Sequence, residues 1–205
     1  MRYFVDTEFV EDGHTIDLIS IGIVAADGRE YYAESSEANL NKASEWVRAN
    51  VFPSMAWTDQ KTRAVIAREI VEFVDANIFN KPEFWAYYAD YDWVVLCQLF
   101  GRMIDLPVGW PMFCRDFKQW LGDHPDENGD EEQLIKLDPS QEHNALADAR
   151  WLRDEFNRLW LPPMVSLDQC ESCEGVFPRR QMKDIWCPSC NEDHEKMLRG
   201  EDEDE

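Results

Sequence analysis

Residues 17–24, DLISIGIV, are almost continuously apolar, and such a run reads as a strand at the centre of a sheet. RYFV at 2–5 and EYYA at 30–33 read as strands on either side, and the turn dipeptide Asp27-Gly28 joins the second to the third. The pattern predicts a three-stranded antiparallel meander. Two helices are expected next, one over residues 41–50 and a longer one from Thr58. The longer one carries Ala64, Val65, Ile70, Val71, Phe73 and Val74 at roughly helical spacing. A strand over 84–88 (FWAYY) and a helix over 92–100 follow. A strand arriving after a helix implies a parallel addition to the meander and an α/β fold with a mixed sheet.

Residues 122–133, GDHPDENGDEEQ, hold no apolar residue and several breakers, so they read as a solvated loop. In the segment LDPSQEHNALADARWLRDEFNRLW, Asp138 is expected to cap a helix and Pro139 to occupy its first turn. Leu146, Ala149, Leu152, Phe156 and Leu159 then form an apolar stripe, and His143 and Asp148 ride on the early turns. Leu161-Pro162-Pro163 ends this helix, and the composition changes there. The expected domains are 1–160, 161–200 and an acidic, disordered tail at 201–205.

A chain of 205 residues can bury one full core and carry a small second module. No run of about 18 apolar residues suggests a membrane span, and the first residues lack the pattern of a signal peptide. The expected location is the cytoplasm. Residues 1–160 hold 15 Lys and Arg against 30 Asp and Glu, and the rest of the chain is acidic too, so the net charge is −22. Such a surface repels phosphate backbones, so any action on nucleic acid must run through divalent cations and local contacts and not a broad basic footprint.

Asp6 and Glu8 end the first strand two residues apart, which places both carboxylates on one face, where each raises the other's pKa. Either they reach solvent at the strand end or they hold a metal. Asp92 begins the helix after the fourth strand, with Asp90 as an alternative two residues earlier, and Asp148 lies on the last helix five residues after His143.

DTE at 6–8, YD at 91–92 and HNALAD at 143–148 resemble, in order and spacing, the three motifs of the DEDDh 3'-to-5' exonucleases, which have the ribonuclease H-like fold. RYFVDTEFVEDGHTIDLISIG, YDWVVLCQLFG and HNALADAR look more closely like the bacterial polyadenylate-specific exoribonuclease group, RNase AS. The resemblance covers about residues 1–160. It implies a ribonuclease H-like mixed sheet flanked by helices, and a metal-dependent enzyme that releases nucleoside 5'-monophosphates from single-stranded RNA. A preference for poly(A) and a homodimer are further implications. Asp6, Glu8, Asp92 and Asp148 would hold two Mg2+ or Mn2+ ions: Asp6 bridging, Glu8 and Asp148 completing one site, Asp92 supporting the other. His143, an imidazole that exchanges protons near neutral pH, would be the general base. The same chemistry on DNA and a non-catalytic adaptor are the competing readings.

Phe9 could pack on the terminal base, and Trp85, Tyr87, Tyr88 and Tyr91 lie where stacking platforms would help to hold a single strand. His14 matches a flank of the resemblance without an assignable role, and His124 is expected to be exposed. Beyond residue 160, Cys170-x-x-Cys173 and Cys187-x-x-Cys190 have the paired spacing of a zinc ribbon, four thiolates around one Zn2+. Cys97 and Cys114 are expected to be buried thiols, and His194 is surplus to the four cysteines. Arg179, Arg180 and Lys183 cluster between the knuckles, where they either guide RNA or merely solubilise a hairpin.

Overall fold

The computed structural model describes residues 1–76, 81–123, 134–160, 167–169, 173, 176–178, 189, 190 and 192. The chain divides into two compact units, Met1–Leu159 and Trp160–Glu205. In the first, β1 (Arg2–Glu11), β2 (Ile16–Ala25) and β3 (Glu30–Glu34) form the antiparallel meander. Gly28 turns the chain between β2 and β3 at φ +91, a conformation that suits a residue without a Cβ. On the other side of β1, β4 (Glu83–Ala86) and β5 (Arg115–Asp116) add in parallel, giving the order β3-β2-β1-β4-β5. Among the described residues the α-helices of the first unit are α1 (Glu45–Asn50), α2 (Arg63–Val74), α3 (Ala89–Gln98), α4 (Phe117–Asp123) and α5 (Ala145–Trp160).

The pleat of β1 assigns its residues to two layers. Tyr3 and Val5 join a core with Ile66, Ile70 and Val74 of α2 and Val95 and Leu96 of α3. Phe4 points the other way, its ring 5.1 Å from that of Phe156 on α5. Asp6 and Glu8 follow Phe4 at steps of two, so the same alternation that seats Phe4 under α5 turns both acids toward that layer. The strand does not stop at residue 5, as the sequence pattern implied, but carries the acids within it.

Three local expectations change. The helix expected from Thr58 begins at Arg63, with Thr62 as its cap. Trp57 and Asp59 take positive φ, and the Lys61 amide donates to the Glu34 carbonyl at 2.8 Å, tying that stretch to the edge of the sheet. The last helix begins at Ala145, not at Pro139. Asp138 instead closes a turn, accepting from the Ser140 amide at 2.9 Å, and His143 at φ +62 breaks any helical run before Asn144. The strand at 84–88 is shorter too: it ends at Ala86, Trp85 is in the core, and Tyr88 adopts φ +59.

In the second unit, β6 (Leu167–Gln169) and β7 (Val176–Pro178) form an antiparallel hairpin. Cys173, in the connection, is exposed, and Cys190 lies in a helical turn. Cys170, Cys187, Arg179, Arg180, Lys183, His194 and the tail at 201–205 lie outside the described residues, as does His124. No helix among the described residues is long and apolar enough to cross a membrane.

Candidate active site

Carboxylates from β1 and α5 meet over the central strand of the sheet. Oxygens of Asp6, Glu8 and Asp148 all lie within 4.8 Å of one another. Asp148 reaches the strand because of Gly22. That residue pairs with Asp6 across β1 and β2, and a Cβ built on it would stand 2.2 Å from the Ala145 carbonyl oxygen. The first turn of α5 therefore rests directly on the β2 backbone, with Asp148 one turn further on.

The N-terminus of α5 is fixed from a second direction. Asn144 caps it, accepting from the Ala147 amide at 3.1 Å. The Ser54 hydroxyl donates to the His143 carbonyl at 2.5 Å, and the Asn144 side chain donates to the Ser54 carbonyl at 3.2 Å. This pair of contacts holds His143 in its left-handed conformation, and the Trp46 ring meets the imidazole edge-on with centroids 4.7 Å apart.

Asp92 stands on the first turn of α3, 6 % exposed, and one of its oxygens accepts from both the amide (2.8 Å) and the hydroxyl (2.6 Å) of Thr7. Asp90, its neighbour on the helix, is exposed. Asp92 is not among the three acids whose oxygens share the 4.8 Å space, but its charge is felt there.

Electrostatically, the cluster is strained. Burial and then the charges of Asp92, Asp148 and Glu8 push the Asp6 carboxyl well above the usual range. Burial, reinforced by Asp148 and Asp92, raises Glu8 to about 8. Desolvation raises Asp92 as well, against the lowering effect of Thr7. It also raises Asp148, partly offset by backbone hydrogen bonding from His143. No ion pair among the described residues reaches any of the four.

Phe9 follows Glu8 and Tyr91 precedes Asp92 in the chain, and their rings are stacked on each other, centroids 5.5 Å apart and 6° from parallel. Phe9 is thus half-buried against a neighbour and is no free platform, whereas Tyr91 is 48 % exposed. Sequence reasoning missed Thr7, Gly22, Ser54 and Trp46. Thr7 stands inside the DTE motif and Gly22 interrupts an apolar strand, which were the available signals.

A mixed sheet with helices on both faces, carrying acids on its central strand and on two helices that pack against it, defines a ribonuclease H-like nuclease. Residues 1–160 match the 3'-5' exoribonuclease Rv2179c-like domain, and the chain belongs to that family. It is 44 % identical over 167 residues to the 3'-5' exoribonuclease Rv2179c of Mycobacterium tuberculosis H37Rv, covering 78 % of this chain and 92 % of that one. It is a 3'-5' exoribonuclease. The fold is shared with the nuclease domain of 3'hExo, a DEDDh family member bound to rAMP (TM-score 0.55, 9 % identity, 86 % of this chain and 95 % of that one). Pop2p of S. pombe, in a form with Mg2+ and Mn2+ bound, is similar too (TM-score 0.52, 12 % identity, 78 % and 84 %).

Proposed function

We propose that the exoribonuclease is metal-dependent, with Asp6, Glu8, Asp92 and Asp148 holding two Mg2+ or Mn2+ ions and His143 as general base. The meeting of Asp6, Glu8 and Asp148 oxygens within 4.8 Å carries this reading. Hard carboxylate oxygens suit these cations, and the burial that raises every acid of the set, joined at Asp6 and Glu8 by the charges of their neighbours, is what a divalent charge relieves. Bound there, the ions supply the charge that steadies a phosphodiester and its leaving oxygen and eases deprotonation of water.

The protein's own part is placement. Asp6, which feels the charges of the other three acids, would be shared between the two ions; Glu8 and Asp148 would complete the ligands of one, and Asp92 would support the other. His143, held at the mouth of α5 by Ser54, accepts the proton of the attacking water. The product is a nucleoside 5'-monophosphate, and the substrate is single-stranded RNA with poly(A) favoured. The match to an exoribonuclease family and the likeness to a nuclease domain bound to rAMP support RNA. The exposed face of Tyr91, backed by Phe9, offers the terminal bases a stacking surface beside the acids.

Beyond residue 160, we assign one structural Zn2+ to Cys170, Cys173, Cys187 and Cys190 on the strength of their spacing. Arg179, Arg180 and Lys183 are assigned to guiding longer RNA. A homodimer in the cytoplasm completes the reading.

End-labelled poly(A), mixed-sequence RNA and single-stranded DNA, each incubated with the protein in Mg2+, Mn2+ or EDTA, test it. Stepwise shortening of RNA from the 3' end, fastest on poly(A) and absent in EDTA, is expected. Undiminished hydrolysis in EDTA would overturn the metal assignment, and faster hydrolysis of DNA would overturn the substrate.

A further inference from the structure

Between the two acids of Asp6-Thr7-Glu8 stands a residue that faces the other way. The pleat turns Asp6 and Glu8 toward α5 and Thr7 toward the layer that holds α3. There both donors of Thr7, amide and hydroxyl, converge on Asp92 Oδ1 at 2.8 and 2.6 Å. Thr7 is 5 % exposed and Asp92 6 %.

We propose that Thr7 is a positioning residue that fixes the rotation of the Asp92 carboxylate, committing Oδ1 to the protein and leaving Oδ2 as the oxygen for a divalent cation or its water. The inference rests on the metal-binding reading above. The last torsion of an Asp side chain is broad, so a backbone position alone does not decide which oxygen faces a site. Two donors on one oxygen, both charge-assisted and both short, do decide it. The helix itself is held separately: Asp116 accepts from the Ala89 amide at 3.2 Å and from the Lys118 amide at 2.8 Å, which ties the start of α3 to β5 and α4. Placing the helix falls to Asp116, and orienting the carboxylate falls to Thr7. The separation of Asp92 from the shared space of Asp6, Glu8 and Asp148 follows from the same clamp.

The motif residue between the two acids thereby acquires a reason for its chemistry. Valine fills the same volume but lacks the hydroxyl, so Thr7→Val would leave Asp92 Oδ1 with the amide donor alone and loosen its orientation. Serine restores the donor without the methyl group. The test is calorimetric titration of the zinc-loaded full chain with Mn2+ in the absence of RNA, paired with steady-state kinetics. The wild type is expected to bind two Mn2+. Thr7→Val should weaken one of the two by roughly 10- to 100-fold, the usual effect of removing a group that orients a ligand, and should leave the other unchanged. Its kcat should fall with KM for RNA unchanged, and raised Mn2+ should recover part of the rate. Thr7→Ser should restore both measurements. If circular dichroism shows Thr7→Val unfolded, Thr7→Ala takes its place. Two Mn2+ bound as tightly by the hydroxyl-free variant as by the wild type would overturn the clamp, and so would a Ser variant as impaired as the Val one. A wild type that binds no Mn2+ would instead overturn the metal reading on which it rests.

Discussion

Glu8 on β1 and Glu34 on β3 lie in one row across the sheet, both opposite Ser20 of β2 and both buried, at 8 % and 3 % exposure. Their surroundings differ completely. Glu34 accepts from the Ala56 amide (2.8 Å), the Trp57 amide (2.9 Å) and the Tyr32 hydroxyl (3.0 Å), so its charge is solvated by the protein. Glu8 faces Asp148 and Asp6, and its carboxyl is driven up to about 8. This fold can satisfy a buried carboxylate two strands away from the active site. Leaving the cluster unsatisfied is therefore a local arrangement and not a general weakness of the sheet, and perturbed acids of that kind mark a functional site.

The comparison is tested most severely by neutralising each side of it. Asp6→Asn should reduce RNA hydrolysis to background while the chain stays folded, as read by 3'-end trimming and circular dichroism. Near wild-type turnover would mean that the strained acids are not the catalytic ones. His143→Asn is expected to cost about 100-fold or more in kcat, the usual worth of a positioned base, with Mn2+ binding retained in titration.

Stability should separate the two glutamates in sign. Glu34→Ala leaves the Ala56 and Trp57 amides without their acceptor, and an unsatisfied buried group costs about 1–3 kcal/mol. Denaturant melts should show that loss. Glu8→Gln, in metal-free protein, should raise the melting temperature because it removes a charge that the fold repels. A fall would mean that the Glu8 carboxylate is compensated after all.

The pH dependence of the metal-free protein sharpens the same point. A carboxyl with a raised pKa keeps its proton in the folded chain at pH values where the unfolded chain has released it. Stability linked to such groups is complete below the ordinary carboxyl range near 4 and is lost as pH rises toward about 7 for Asp92 and Asp148 and about 8 for Glu8. Melts in EDTA should weaken steadily from pH 5 to pH 8.5. The slope should shrink in Asp6→Asn and when Mg2+ or Mn2+ is added; an unchanged slope in both cases would place the responsible groups elsewhere. The smallest effect is expected from ending the chain at Pro162. All the site residues precede that point, so trimming of short RNA should persist at an unchanged rate, and its loss would tie the site to the second unit.

The acids were legible because the chemistry needs specific residue types within short motifs. DTE, YD and HNALAD announce themselves one residue at a time, and the period-two pattern of β1 already put Asp6 and Glu8 on one face. The antiparallel meander was equally readable from DLISIGIV and the Asp27-Gly28 turn. Other features were not. Asp138-Pro139-Ser140 has the local look of a helix start and does make the Asp138 turn, but the helix waits for Asn144 because Ser54, far away in sequence, holds the His143 carbonyl. The two-residue strand β5 is too short to show a period.

Gly22 gives the same lesson from the other side. In the sequence it is a gap in an apolar strand; in the fold it is the only side chain small enough to admit the Ala145 carbonyl, and so it sets how far Asp148 reaches toward Asp6. Sequence alone determined which side chains could do chemistry and which strand would carry them, since side-chain type and strand period are local properties. Tertiary structure decided their distances, the orientation of Asp92 under Thr7 and the backbone of His143. Each of those depends on groups distant in the chain, brought together only when the sheet and helices pack.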